Sequence, residues 1–98
     1  VHLASQTAGG GTVAIGLAPA GAVARDAGTA QAAVIADEET APTGVTFSAP
    51  SNYDDGLVIG DVEADECHAV WLRLTVVANT EAMDEDEALL EFTWATDA

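Results

Sequence analysis

Between Cys67 and Val77 the side chains alternate: His68, Val70, Leu72, Leu74 and Val76 fall on one set, and Cys67, Ala69, Trp71, Arg73, Thr75 and Val77 on the other. A period of two is that of a β-strand, whose neighbouring side chains leave opposite faces. The spacing predicts one long strand with its even positions turned to a core. On the odd face, Trp71 beside Arg73 and Thr75 suggests half-cover by a partner chain or by the N-terminal part of this chain. A last strand follows, in which Leu90, Phe92 and Trp94 alternate with Glu91, Thr93 and Ala95.

Shorter apolar runs precede these. Val45 and Phe47 share one face of a short strand over residues 45–48 that Pro50 stops, and Leu57, Val58 and Ile59 form another between Gly56 and Gly60. Residues 37–44, 51–56, 61–66 and 79–87 are polar and rich in turn formers. Residues 4–33 are mostly Ala, Gly, Ser and Thr. Gly21 and Gly28 would each cost a helix there about 1 kcal/mol, so the expectation is short strands at 12–17 and 31–36 with a turn near Asp26, Ala27 and Gly28. An arm lying on a neighbour is the competing picture. Short strands with turn signals roughly every 8–12 residues indicate an all-β protein, a small antiparallel β-sandwich of immunoglobulin-like type. Its core is expected over residues 34–98, after an extended Ala/Gly-rich region over 1–33.

Size limits what such a fold can bury. The chain has 98 residues and is 49% hydrophobic, with alanine making up much of that share. One small core is available, and its stability is expected to lean on neighbouring subunits. Charge adds a second restriction: 17 acidic residues against two Arg and no Lys give a formal net charge of −15. That field repels phosphate backbones and anionic membrane surfaces, so neither nucleic acid nor membrane is expected as a partner. High ambient salt or a basic partner surface would each account for the acidity. Cys67 is the sole cysteine, which excludes an intrachain disulfide. No apolar run approaches the roughly 20 residues of a membrane span. The start at Val1, without an initiator methionine, suggests a processed or trimmed chain or the ordered part of something longer.

Candidate chemistry is sparse. Cys67 and His68 are adjacent on a strand, so they point apart and cannot converge on a metal or form a nucleophile–base pair. The carboxylates lie in turns, where water surrounds them and no walled cleft holds an acid pair. The expectation is therefore no enzyme, with no catalytic or cofactor-binding residue. Calcium is the more serious alternative, with Asp54, Asp55, Asp84 and Asp86 as candidate ligands among the acidic loops. Their spacing does not match an EF-hand loop. Trp71, Arg73, Trp94 and Tyr53 are the expected interface residues, and Trp71 or Tyr53 is the candidate for stacking on a sugar. Gly9, Gly10 and Gly11 lack the Lys and Ser/Thr of a phosphate loop.

The run Gly44-Val-Thr-Phe-Ser-Ala-Pro50, then Gly56-Leu57, Gly60-Asp61, an acidic turn and His68-Ala-Val-Trp-Leu-Arg-Leu-Thr-Val76 resembles a β-sandwich module of virion structural proteins of tailed bacteriophages and haloarchaeal viruses. It departs from that pattern at Val62–Glu66, which lacks Pro and Gly, and at Leu74, where a second Arg is usual. The resemblance implies a sandwich fold and a non-enzymatic virion protein, and brings no functional residues with it. A short single domain without fibre repeats favours a capsid decoration or cement protein, or another head-associated protein. Its partners would be copies of itself and other virion proteins such as the major capsid protein. A tail appendage, or an adhesion module binding glycan or Ca²⁺, is the alternative.

Overall fold

The computed structural model describes residues 1–26, 32–80 and 85–96. Among them the chain forms six strands and no helix: β1 (His2–Gln6), β2 (Thr12–Leu17), β3 (Val23–Ala24), β4 (Glu66–Cys67), β5 (Val70–Thr75) and β6 (Ala88–Glu91). The protein is all-β, and its sheets are small and antiparallel. β1 pairs with β6, β2 with β5, and β3 with β4. Both longer pairings join residues on opposite sides of the 33/34 division.

β1 has only one large apolar residue, Leu3, and owes its strand form to partners on both edges. On one edge Leu3 faces Leu90 and His2 faces Glu91, with a register shift before Ser5. On the other, the Leu3 amide donates to the Pro50 carbonyl at 2.8 Å and Leu57 donates to the Val1 carbonyl at 2.8 Å. β1 is joined to β2 by a side chain acting as backbone. The Gln6 Nε2 donates to the Val13 carbonyl at 3.0 Å, while the Val13 amide donates to Gln6 Oε1 at 2.7 Å. Thr7 and Glu87 also bond to each other, so the turn after β1 is stitched to the segment entering β6.

β2 lies between β5 and residue 48. Ile15 and Ser48 exchange both main-chain hydrogen bonds at 2.8 and 2.9 Å, and Ile15 faces Leu72 on the opposite edge. Enclosed from both sides, Ile15 has no exposed surface, and among the described residues it makes up the buried apolar core with Leu3 and Ala18. All three precede residue 34.

The strand expected at 12–17 is present as β2. Residues 32–36 form no strand, and Gln31, Ala27 and Gly28 lie outside the described residues. Among the described residues the only ladder contact over 45–48 is the bridge at Ser48, and residues 57–59 form no strand. The long strand over 67–77 is broken at His68 and Ala69. Cys67 pairs with Val23 and Val70 pairs with Leu17, so residues 18–22 stand against only 68–69, and this mismatch moves the chain from one sheet to the other. The expected strand over 90–94 ends at Glu91.

The expectation that the even face of β5 is the core face needs correction. Leu72, Leu74 and Val76 are 58%, 65% and 63% exposed. Paired residues share a face, so Val70, Leu72 and Leu74 do lie beside Leu17, Ile15 and Val13. Cover ends there, because among the described residues no strand pairs with the far edge of β5. The whole chain exposes 7295 Å², against about 5,200 Å² for a compact protein of its mass. Its radius of gyration is 15.2 Å, where about 12.5 Å is usual.

Candidate interaction surface

β5 is the element around which the exposed chemistry gathers. On its odd face Trp71 faces Gly16 and Arg73 faces Ala14. The small residues on β2 leave space that residues 45–47 of the same chain fill. A Cβ on Gly16 would sit 2.5 Å from Val45 Cγ1 and 2.8 Å from the Thr46 carbonyl oxygen, so only glycine fits. The Arg73 guanidinium stands 4.8 Å from the centre of the Phe47 ring, a cation–π contact. The half-cover expected for this face thus comes from the Val45–Phe47 run rather than from the N-terminal region. Trp71 is half-buried, and its Nε1 is out of water without a hydrogen-bond acceptor among the described residues.

Alongside β5 runs a groove of about 460 Å³, lined by Trp71, Leu72, Arg73 and Leu74 on one side and by the stretch from Ile35 to Pro42 on the other. Asp37 shapes that opposite wall. Its Oδ1 accepts from the Thr40 hydroxyl at 2.8 Å and from the Glu39 amide at 3.0 Å. The Thr40 hydroxyl first, and then the Glu39 amide, hold the Asp37 carboxyl below the usual aspartate value. Glu38 and Glu39 line the groove as well.

The remaining expected interface residues lie elsewhere. Trp94 follows the end of β6 and is 80% exposed. Tyr53 is 68% exposed and borders a second cleft, of about 370 Å³, with His2, Asp54 and Thr93. His2 is buried, with Nε2 3.9 Å from Glu91 Oε1.

The candidate calcium ligands have separate attachments. Asp55 is tied into a local turn, its amide donating to Asn52 Oδ1 at 2.9 Å and its carboxylate accepting from Asn52 Nδ2 at 3.1 Å. Asp86 is a structural latch whose Oδ2 accepts the Gly11 amide at 2.8 Å, with its carboxylate in the space a Cβ on Gly10 would need. Asp54 lines the second cleft, and Asp84 lies outside the described residues. Among the described residues no three of His, Cys, Asp and Glu come together as a metal site. Neither does His68 turn to Cys67. Its Nδ1 is 3.1 Å from the Ile59 carbonyl oxygen and its Nε2 3.2 Å from that of Ala18, so the ring links three segments. A neutral imidazole donates to one of these carbonyls at a time. Cys67 is a half-buried free thiol.

Sequence reasoning placed Trp71 and Arg73 on a contact face but missed Leu72 and Leu74 as surface, because alternation marks two faces without saying what covers them. It also missed the Asp86 latch, for which the Gly9–Gly11 run was the available signal. Comparison with known proteins gives no match to a family model, to a curated protein or to a solved structure.

Proposed function

We propose that this chain is a non-enzymatic structural protein of a tailed-virus virion, a capsid decoration, cement or other head-associated subunit that acts by association. The observation that carries the reading is the small core, Leu3, Ile15 and Ala18, beside broad apolar exposure at Leu72, Leu74, Val76, Val77, Leu89 and Trp94. Contiguous exposed apolar surface marks protein interaction sites, and Leu72 and Leu74 adjoin on one face of β5. In the assembled particle the small sheets would close into an immunoglobulin-like sandwich, with other copies and the major capsid protein supplying the missing cover. The virion setting rests on the resemblance of residues 44–50 and 68–76. The acidic loops would face solvent or a basic patch on the shell.

Cosedimentation with empty shells and with isolated tails tests this reading. Saturable binding to shells supports a head position, and binding to tails alone would move the protein to an appendage. Failure to bind either, with no self-association, would overturn the reading.

The cleft beside Tyr53, Asp54 and His2 favours a second reading, an adhesion module taking glycan or Ca²⁺. A melting curve with Ca²⁺ and with chelator separates the two, since a ligand of the native state raises the midpoint. An unchanged midpoint removes the cation version.

A further inference from the structure

We propose that β5 pairs, antiparallel, with β5 of a second copy across a two-fold axis at Leu72. The inference deepens the association reading and rests on it. Its starting point is the direction of the main-chain groups. Ile15 spends both its amide and its carbonyl on Ser48, so it has none for Leu72 opposite. In an antiparallel ladder such a non-bonded pair turns the groups of both residues outward. Leu72 therefore presents its amide and carbonyl to the edge that no strand among the described residues covers. The bond from the Ala18 amide to the Ala69 carbonyl, at 3.0 Å, fixes the same alternation from the other end. Val70, Leu72 and Leu74 present open groups to the outside, while Trp71 and Arg73 bond to β2.

An outward-facing edge pairs with itself only if the register suits its side chains. A register centred on Arg73 would oppose two like charges, which is unfavourable. Centred on Leu72, it places Leu72 against Leu72 of the second copy, Leu74 against Val70 of the second copy, and Arg73 against Trp71 of the second copy. The apolar side chains share one face, and on the odd face each Arg73, which stands over Phe47 of its own chain, comes to lie beside Trp71 of the other copy. Roughly six main-chain hydrogen bonds would form.

Three features favour a second copy as the occupant. The edge is weakly protected, since β5 contains no Lys, Pro or bulge and Arg73 is its one charged residue. Residues 67–77 contain no acid in a chain that has 17, so the strand itself brings no like charges together, and screening by salt reduces the repulsion from Glu38 and Glu39 beside it. The chain also exposes roughly 2,000 Å² more than a compact protein of its mass, and a stable interface buries about 1,200–2,000 Å² in total.

The register is testable by crosslinking. In a Cys67→Ser background, Leu72→Cys puts two thiols on the axis with Cα atoms about 5.5 Å apart, within disulfide range. Val70→Cys or Leu74→Cys puts equivalent residues about 13 Å apart. The expected result is a covalent dimer from Leu72→Cys alone. Equal crosslinking at all three positions, or none at Leu72→Cys, overturns the register. Leu72→Pro serves as a second variant, because proline on an edge strand with its nitrogen facing outward leaves the fold intact. It should abolish the dimer while the circular dichroism spectrum is unchanged, and a dimer that survives it overturns the pairing. If the parent chain self-associates or binds shells without the Leu72 crosslink, only the β5 pairing falls. If a monomeric parent chain loses shell binding on Leu72→Pro, the edge serves a different protein and self-pairing is overturned. If the parent chain does neither, the association reading falls as well.

Discussion

Single residues decide how the sheets of this protein meet. Gly16 is the tightest point, since the Val45 side chain and the Thr46 carbonyl occupy the space a Cβ would take. Gly16→Ala should therefore destabilise the fold by about 1–3 kcal/mol, measured as a lower urea midpoint at unchanged slope. A change within a few tenths of a kcal/mol would mean that residues 45–47 do not pack there. Nothing local in the sequence marks Gly16 as special, because its constraint comes from a segment almost thirty residues away. The Asp37 turn gives a residue-scale pH test. A carboxyl whose folded value is depressed stabilises its turn above the unfolded aspartate value and loses that effect as pH falls through the folded one. The Glu39 and Thr40 amide resonances should move with a midpoint below that of an ordinary aspartate, and a midpoint in the ordinary range would show the turn is not held by Asp37.

Among the elements, β5 was largely legible and β1 was not. The alternation is realised as a strand from Val70 to Thr75, with its two faces as expected, and β2 matched its apolar run at the expected residues. β1 is written mainly in its partners, Leu90, Pro50 and Leu57, which no local pattern reveals. For the same reason the break at 68–69 was hidden, since it arises from the unequal lengths of two paired segments. Alternating amide direction makes a sharp prediction for β5. In dilute protein at low salt, where self-association is weakest, the amides of Trp71 and Arg73 should resist hydrogen exchange while those of Val70, Leu72 and Leu74 exchange quickly. Uniform protection along the strand would contradict a free edge.

For the whole molecule, charge and exposed apolar surface act in opposite directions. A net charge of −15 on 98 residues opposes both compaction and pairing of copies. Salt shortens the reach of that repulsion to about 10 Å at 0.1 M and about 3 Å at 1 M, while the apolar strip from Leu72 to Val77 is untouched by screening. Melting temperature should accordingly rise with ionic strength. A salt-insensitive melting temperature would instead assign the acids to a basic partner. Composition revealed this tension from the outset, whereas the location of the unfilled surface needed the pairing of β2 with β5.

Sedimentation equilibrium of the intact chain, across protein concentration and from about 0.1 M to 1 M salt, bears most directly on the claim that this fold is completed by other protein. The account predicts a mass that grows from monomer toward dimer as either variable is raised, with the shift lost in Leu72→Pro. A strictly monomeric chain under every condition, failing also to bind shells or tails, would contradict it.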